Sequence, residues 1–137
     1  MITYISENTF VLTKDKQISK WIEFSIQNEH KELGEINYIF CDDNYLLDIN
    51  VKELKHNTLT DIISFDFTVG NVISGDVFIS TERVSENATN LELDFEVELH
   101  RVMIHGILHY CGYKDKTEEQ KRVMRSKEDY YLSLRTF

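Results

Sequence analysis

The sequence contains no proline and only two cysteines among its 137 residues. An average usage of about 5% would give roughly seven prolines, so proline-rich linkers and recognition tails are excluded. Cys41 and Cys111 are far apart in the chain and form no C-x-x-C pair. We therefore expect two free thiols in a reducing compartment rather than a disulfide-stabilised secreted protein.

Long apolar runs are also missing. No segment approaches the roughly 18 consecutive apolar residues that a membrane-spanning helix needs. The N-terminal segment MITYISENTFVLTKDK has no basic stretch followed by an apolar one, as a signal peptide would. We expect a cytoplasmic protein that has no membrane partner.

Basic residues are in the minority, with 15 lysines and arginines against 24 aspartates and glutamates, for a net charge of −9. This balance argues against a general nucleic-acid binder, because such proteins are usually basic. The charge is nevertheless uneven. Residues 61–98 contain nine acids and one base, whereas residues 112–137 contain seven bases and five acids. A local basic surface near the C-terminus is therefore compatible with the acidic total.

The length and the 42% hydrophobic share predict a single globular domain over residues 1–137 that folds without disulfide or metal staples. Apolar periodicity divides the chain into strands and helices without regular alternation. We predict strands at 1–5, 36–41, 60–67 and 75–80, with a connection over 69–74, and helices at 16–30, 42–54, after 81, at 94–111 and at 117–132. This order predicts an α+β fold with helices packed around one small sheet.

The string H-G-I-L-H-Y-C-G-Y-K-D, from His105 to Asp115, carries the strongest functional signal. A helix turns about 100° per residue, so His105 and His109 project from one face, one turn apart, and can share a metal ion. Gly112 lets the chain reverse after the helix, and Asp115 can then supply a third ligand. Three protein ligands leave a position for water, which is typical of catalytic zinc.

The residue after the first histidine, Gly106, indicates whether such a site is that of a zinc peptidase. Zinc peptidases with the same histidine spacing carry a glutamate at this position as general base. Glycine inside a helix costs about 1 kcal/mol relative to alanine, so Gly106 indicates close packing or open space beside the metal. Glu98 is two turns before His105, and we expect it to be solvated or to support a ligand. His100, His30 and His56 are expected to lie outside the site.

The motif H-G-x-L-H-x-x-G-Y, followed by a third ligand, resembles that of the bacterial YbeY family of single-domain endoribonucleases. The segments T-D-I-I-S-F (60–65) and G-D-V (75–77) are similar to two strand motifs of that family. Asn50, Met124 and Glu128 match further family positions. The family usually has histidine where this chain has Asp115, and an arginine where this chain has Leu54. Aspartate also binds zinc, so the resemblance implies that the site is retained.

The resemblance implies an α+β fold with a four-stranded mixed sheet and one Zn²⁺ held by His105, His109 and Asp115, with both histidines catalytic. It implies a metal-dependent endoribonuclease, specific for single strands, that matures the 3′ end of 16S ribosomal RNA and takes part in ribosome quality control. The expected partners are ribosomal RNA, the small ribosomal subunit and ribosome-associated proteins. A water or hydroxide activated by the metal would attack the phosphodiester.

Four lysines are candidate RNA contacts. Lys114 and Lys116 flank the third ligand, and Lys52 and Lys55 lie near the position of the missing arginine. Together with other bases of the C-terminal segment they are expected to form a phosphate track, although a solvated helix face of mixed charge is an equal alternative. A zinc peptidase and a non-catalytic ribosome-assembly factor with a structural metal are the competing functions. The absent general-base glutamate argues against the first, and an open metal position would argue against the second.

Overall fold

A computed structural model describes residues 1–54 and 59–137, with only the backbone described for Leu54. Five helices and four strands follow one another along the described chain. Their bounds are β1 Ile2–Ser6, α1 Asp15–Asn28, β2 Glu32–Cys41, α2 Asp43–Leu54, β3 Ile62–Asp66, β4 Val72–Ser80, α3 Thr81–Asn90, α4 Phe95–Tyr110 and α5 Glu118–Ser133. The predicted α+β class is confirmed.

The four strands form one mixed sheet in the order β1-β2-β4-β3. β1, β2 and β4 are parallel, and β3 pairs antiparallel with β4 along the edge. β4 begins at Val72, earlier than predicted, so residues 72–74 belong to a strand and not to the connection. The pairing of this first part of β4 with β2 is irregular between Leu33 and Ile36.

The two faces of the sheet bury unequal cores. The larger core joins α1, α4 and α5 to the sheet and includes Trp21, Tyr38 and Met103, which are at most 5% exposed. The smaller core lies under α2 and contains Cys41, Leu46 and Ile63. Burial of both cores from water is the main stabilising contribution to such a fold.

α4 carries His105 and His109 and so positions the predicted site. Most of its side chains are buried, which fixes the helix in the core. Its C-terminal turn is followed by a short loop, residues 111–117, in which Gly112 adopts a positive φ of 106°. A side chain there would be strained, so glycine is the residue that allows the reversal. α5 then begins from a capping box between Thr117 and Gln120. Among the described residues, no helix has the length and apolar character to cross a bilayer.

Candidate metal centre

The structure brings His105 and His109, on the last turns of α4, together with Asp115 of the following loop. Nε2 of His105 lies 2.9 Å from Nε2 of His109, and Oδ2 of Asp115 lies 3.2 Å from each of these nitrogens. The three ligand atoms all lie within 4.8 Å of one another, and within the described residues they form the one cluster with metal-ligand spacing. Two imidazole nitrogens and a carboxylate oxygen are a donor set that suits zinc.

The second nitrogen of each imidazole is held by a hydrogen-bond acceptor. Nδ1 of His105 lies 2.7 Å from Oε2 of Glu128, and Nδ1 of His109 lies 2.9 Å from the backbone carbonyl of Tyr113. Because a carboxylate and a carbonyl oxygen only accept here, each neutral imidazole carries its proton on Nδ1 and donates it to that oxygen. The lone pair of Nε2 is then left free on the side of Asp115. Such partners fix the tautomer and orientation of metal-binding histidines.

Glu128 is buried on α5 and is itself held by Arg101. Nη1 of Arg101 lies 3.1 Å from Oε1 of Glu128 and 2.9 Å from Oδ1 of Asp129. Burial lowers the pKa of His105, but the hydrogen bond and the charge of Glu128 outweigh it and raise that pKa. Sequence reasoning missed Arg101, although it lies one turn before His105 on the same helix, where an i, i+4 pair shares a face.

A cavity of about 590 Å³ is lined by all three candidate ligands. Asp61 and Ser64 line it from the side of β3, and Glu98 lines it from the first turn of α4. Glu98 is only 5% exposed, so the expectation of a solvated side chain is wrong. Burial raises the pKa of both Asp61 and Glu98, because it disfavours their charged forms. The cavity therefore combines metal ligands with desolvated carboxyl groups.

The model of the Endoribonuclease YbeY family matches residues 3–135. The chain belongs to this family. A relative from Flavobacterium johnsoniae named Endoribonuclease YbeY is 55% identical over 134 residues, which are 98% of this chain and 96% of the relative. A relative of the same name from Christiangramia forsetii is 53% identical over 133 residues, with coverages of 97% and 93%.

A solved structure supports the fold independently. The solution structure of TM1509 from Thermotoga maritima matches with a TM-score of 0.70 at 25% identity, and the match covers 97% of this chain and 87% of that one. The fold and the family predicted from the motifs are both confirmed.

Gly106 packs against the sheet beside the site. A Cβ at this position would lie 3.2 Å from Cδ1 of Ile62 and 3.4 Å from Cγ1 of Val77. Of the two alternatives predicted for this glycine, close packing is therefore the one that the structure shows. The glutamate that a zinc peptidase carries at this position would face β3 and β4 at contact distance.

The candidate RNA contacts that the structure describes, Lys52, Lys114 and Lys116, do not line the cavity. Lys114 and Lys116 are exposed on the loop and do not line the cavity. Lys52 is exposed on α2 and forms an ion pair of 3.0 Å with Asp48. Lys55 lies outside the described residues. Two other bases, Lys121 and Arg125 of α5, do line the cavity.

The remaining histidines lie away from the candidate centre where they are described. His100 is buried against Trp21 and Phe137, and its Nδ1 is 2.7 Å from Nη1 of Arg135. His30 is exposed after the end of α1, and His56 lies outside the described residues. Cys41 and Cys111 are free thiols, and neither belongs to the cluster of candidate ligands.

Proposed function

We propose that this chain is a metal-dependent endoribonuclease, specific for single-stranded RNA, that matures the 3′ end of 16S ribosomal RNA. The observation that carries the proposal is the convergence of His105, His109 and Asp115 on the wall of a cavity, in a chain that belongs to the Endoribonuclease YbeY family. The setting proposed for this reaction is the cytoplasm, with ribosomal RNA and the small ribosomal subunit as partners in maturation and quality control.

The proposed cofactor is one Zn²⁺ per chain, held by Nε2 of His105, Nε2 of His109 and Oδ2 of Asp115. When bound by three protein ligands, zinc keeps an open position, lowers the pKa of a water molecule and stabilises negative charge on a phosphoryl oxygen. The neutral histidines and the single carboxylate leave a net positive charge at the centre. Such a charge favours the approach of a phosphodiester.

The protein's own residues orient this centre. Glu128 and the carbonyl of Tyr113 hold both imidazoles with Nε2 directed at one point. The cavity gives a single strand access to that point, and residues of β3, α4 and α5 line it. A substrate phosphate held there is placed against the ligands before reaction, which contributes to the rate by positioning.

Two observations favour this function over its alternatives. A peptidase of the same spacing needs a carboxylate after the first histidine, whereas this chain has Gly106, where even a Cβ would lie 3.2 Å from Cδ1 of Ile62. A structural zinc is usually closed by four protein ligands. In the described part of the chain the cluster contains three, which favours an open, catalytic site.

Metal analysis of the purified protein combined with RNA cleavage tests the proposal. The wild type should contain about one equivalent of metal and cut a single-stranded RNA that carries the 3′ end of 16S ribosomal RNA. His109→Ala should lose both the metal and the cleavage. Cleavage that persists in a variant without stoichiometric metal would overturn the catalytic role of the centre.

A further inference from the structure

The cavity is lined by both acidic and basic side chains. Asp61, Glu98, Asp115 and Glu128 contribute four carboxyl groups to its lining. Arg101, Lys121 and Arg125 contribute the three cations among the described lining residues. An RNA strand carries one negative charge per phosphate, so a strand that enters this cavity must avoid the carboxylates and find compensating cations.

Arg101 forms close ion pairs with two carboxylates. Its side chain is 14% exposed, and Nη1 contacts Glu128 at 3.1 Å and Asp129 at 2.9 Å. A guanidinium bound in this way neutralises its partners and holds Glu128 against His105. Arg101 is therefore poorly placed to bind a phosphate in addition.

Lys121 and Arg125 are in a different position. Their side chains are 57% and 58% exposed, and their ion pairs within the described residues are long, at 3.7 Å to Glu118 and 3.9 Å to Glu128. They are four residues apart on α5, so they lie on one face of the helix about 6 Å apart along its axis. Neither cation is neutralised by a close partner, and both line the cavity that contains the candidate ligands.

The backbone that carries these two cations is fixed. α5 begins from a capping box and buries Met124, Glu128 and Tyr131 in the protein. The loop with Lys114 and Lys116 precedes this helix, and both of its lysines are exposed outside the cavity. The packed helix thus fixes the backbone positions from which the two cations reach the cavity.

We propose that Lys121 and Arg125 form a phosphate-binding subsite for single-stranded RNA, taking phosphates adjacent to the one that faces His105, His109 and Asp115. This inference rests on the proposed function for its substrate. The guanidinium of Arg125 can bind a phosphate through two parallel hydrogen bonds, and the ammonium of Lys121 acts as a point charge on the next one. The RNA backbone then follows α5 and avoids the wall that carries Asp61 and Glu98.

The subsite is tested with the double variant Lys121→Gln/Arg125→Gln and a matched control, Lys114→Gln/Lys116→Gln, which removes the same charge from the neighbouring loop. The Kd for a fluorescent single-stranded RNA is measured by anisotropy at several salt concentrations, with every variant also carrying His109→Ala to prevent cleavage. The subsite variant should bind at least tenfold more weakly than its parent. Its plot of log K against log salt should be shallower by about 1.4, because each phosphate contact to a single strand contributes about 0.7.

Cleavage kinetics of the metal-loaded proteins, with His109 intact, provide the second measurement. The subsite variant should have a KM raised about tenfold and a kcat close to that of the wild type, and the control should change little. Equal losses in the two double variants, or an unchanged salt slope in the subsite variant, would overturn the subsite. If metal-loaded wild type fails to cut any RNA, the proposed function fails, and the anisotropy result still decides whether Lys121 and Arg125 bind a phosphate backbone.

Discussion

The hydroxyl of Tyr113 donates a hydrogen bond of 2.6 Å to Oε1 of Glu29 and so connects the candidate metal centre to the end of α1. The carbonyl of the same tyrosine accepts from Nδ1 of His109. The other oxygen of Glu29 accepts from the hydroxyl of Tyr131 and from Lys127. Burial acts to raise the pKa of Glu29, but these partners outweigh it and lower that pKa, so the carboxylate remains charged. The loop that carries Asp115 is therefore anchored from outside the site.

Tyr113→Phe should weaken zinc binding although it removes no ligand. The carbonyl that orients His109 remains, but the loop loses its hydrogen bond to Glu29. Replacing outer partners of metal ligands typically costs 10–100-fold in affinity, and we expect about tenfold here because the hydroxyl acts through the backbone. The measurement is competition for zinc with a chelator of known affinity.

The control for this change is Tyr130→Phe, which removes the same hydroxyl from a side chain that is 47% exposed. It should leave zinc affinity at the wild-type value. Equal affinities for the Tyr113 and Tyr130 variants would show that the anchor on Glu29 does not position the loop.

Glu128→Gln should lower zinc affinity more strongly, by about 10–100-fold. Glutamine keeps the size and an acceptor oxygen, but it removes the negative charge that makes His105 a better donor to a cation. Arg101 also loses a charged partner at 3.1 Å. Chelator competition and the free energy of unfolding should both be measured, because the loss of a buried charged hydrogen bond costs about 1.5–3 kcal/mol.

Glu118→Gln makes the same chemical change on the same helix, at a side chain that is 95% exposed. It should alter neither zinc affinity nor stability by much, since surface pairs contribute little. A Glu128 variant that binds zinc as tightly as this control would contradict the role assigned to Glu128.

The convergence of the ligands could be predicted from the sequence because it is local. The segment that supplies the ligands is only 11 residues long, from His105 to Asp115. Helical geometry and the chain reversal at Gly112 determine how its ligands are arranged. The contact between His105 and Glu128 is not local, because Glu128 is 23 residues away and lies on another helix. Only family resemblance pointed to Glu128, because no periodicity relates residues across a tertiary contact.

The lysines predicted as RNA contacts depend on tertiary structure in a different way. Adjacency to Asp115 in sequence favours Lys114 and Lys116, but both are exposed and neither lines the cavity. Lys121 and Arg125 are further from Asp115 in sequence but line the same cavity, because α5 begins at Glu118 and passes along it. The start of β4 was similarly hidden, because strand pairing, rather than local propensity, places residues 72–74 in the sheet.

Gly106→Val should destabilise the fold through crowding. A Cβ at this position would lie 3.2 Å from Cδ1 of Ile62 and 3.4 Å from Cγ1 of Val77, so two further methyl groups would crowd the contact between α4 and the sheet. Overpacking of this kind costs about 1–3 kcal/mol. Urea unfolding at neutral pH measures the change.

Gly106→Ala is the matched smaller change. Alanine gains about 1 kcal/mol of helix propensity, and the nearest atom is the flexible end of Ile62, so a small shift can accommodate the methyl group. We expect a net effect well below that of valine. If the two variants were equally stable, the packing of α4 against β3 and β4 at this point would be looser than the structure indicates.

His100 should make the stability of the protein fall in mild acid, independently of the metal. Burial first, and then the charge of Arg135, lower the pKa of His100 to about 4. Nδ1 accepts a hydrogen bond from Arg135 at 2.7 Å, which protonation would abolish. The unfolded chain keeps a pKa near 6.5 and therefore takes up a proton first. The stabilising contribution is complete above pH 6.5 and is lost as the pH falls towards 4.

The test compares the free energy of unfolding of wild type and His100→Gln at pH 7.5 and 4.5, with a chelator present throughout. Glutamine is neutral at both values and can still accept from Arg135, whereas the wild type loses about 2–3 kcal/mol more than the variant over this range. Titration of the metal ligands and carboxylates is common to both proteins and cancels in the difference. A difference between the two proteins that does not change with pH would show that His100 is protonated in the folded state as readily as in the unfolded chain.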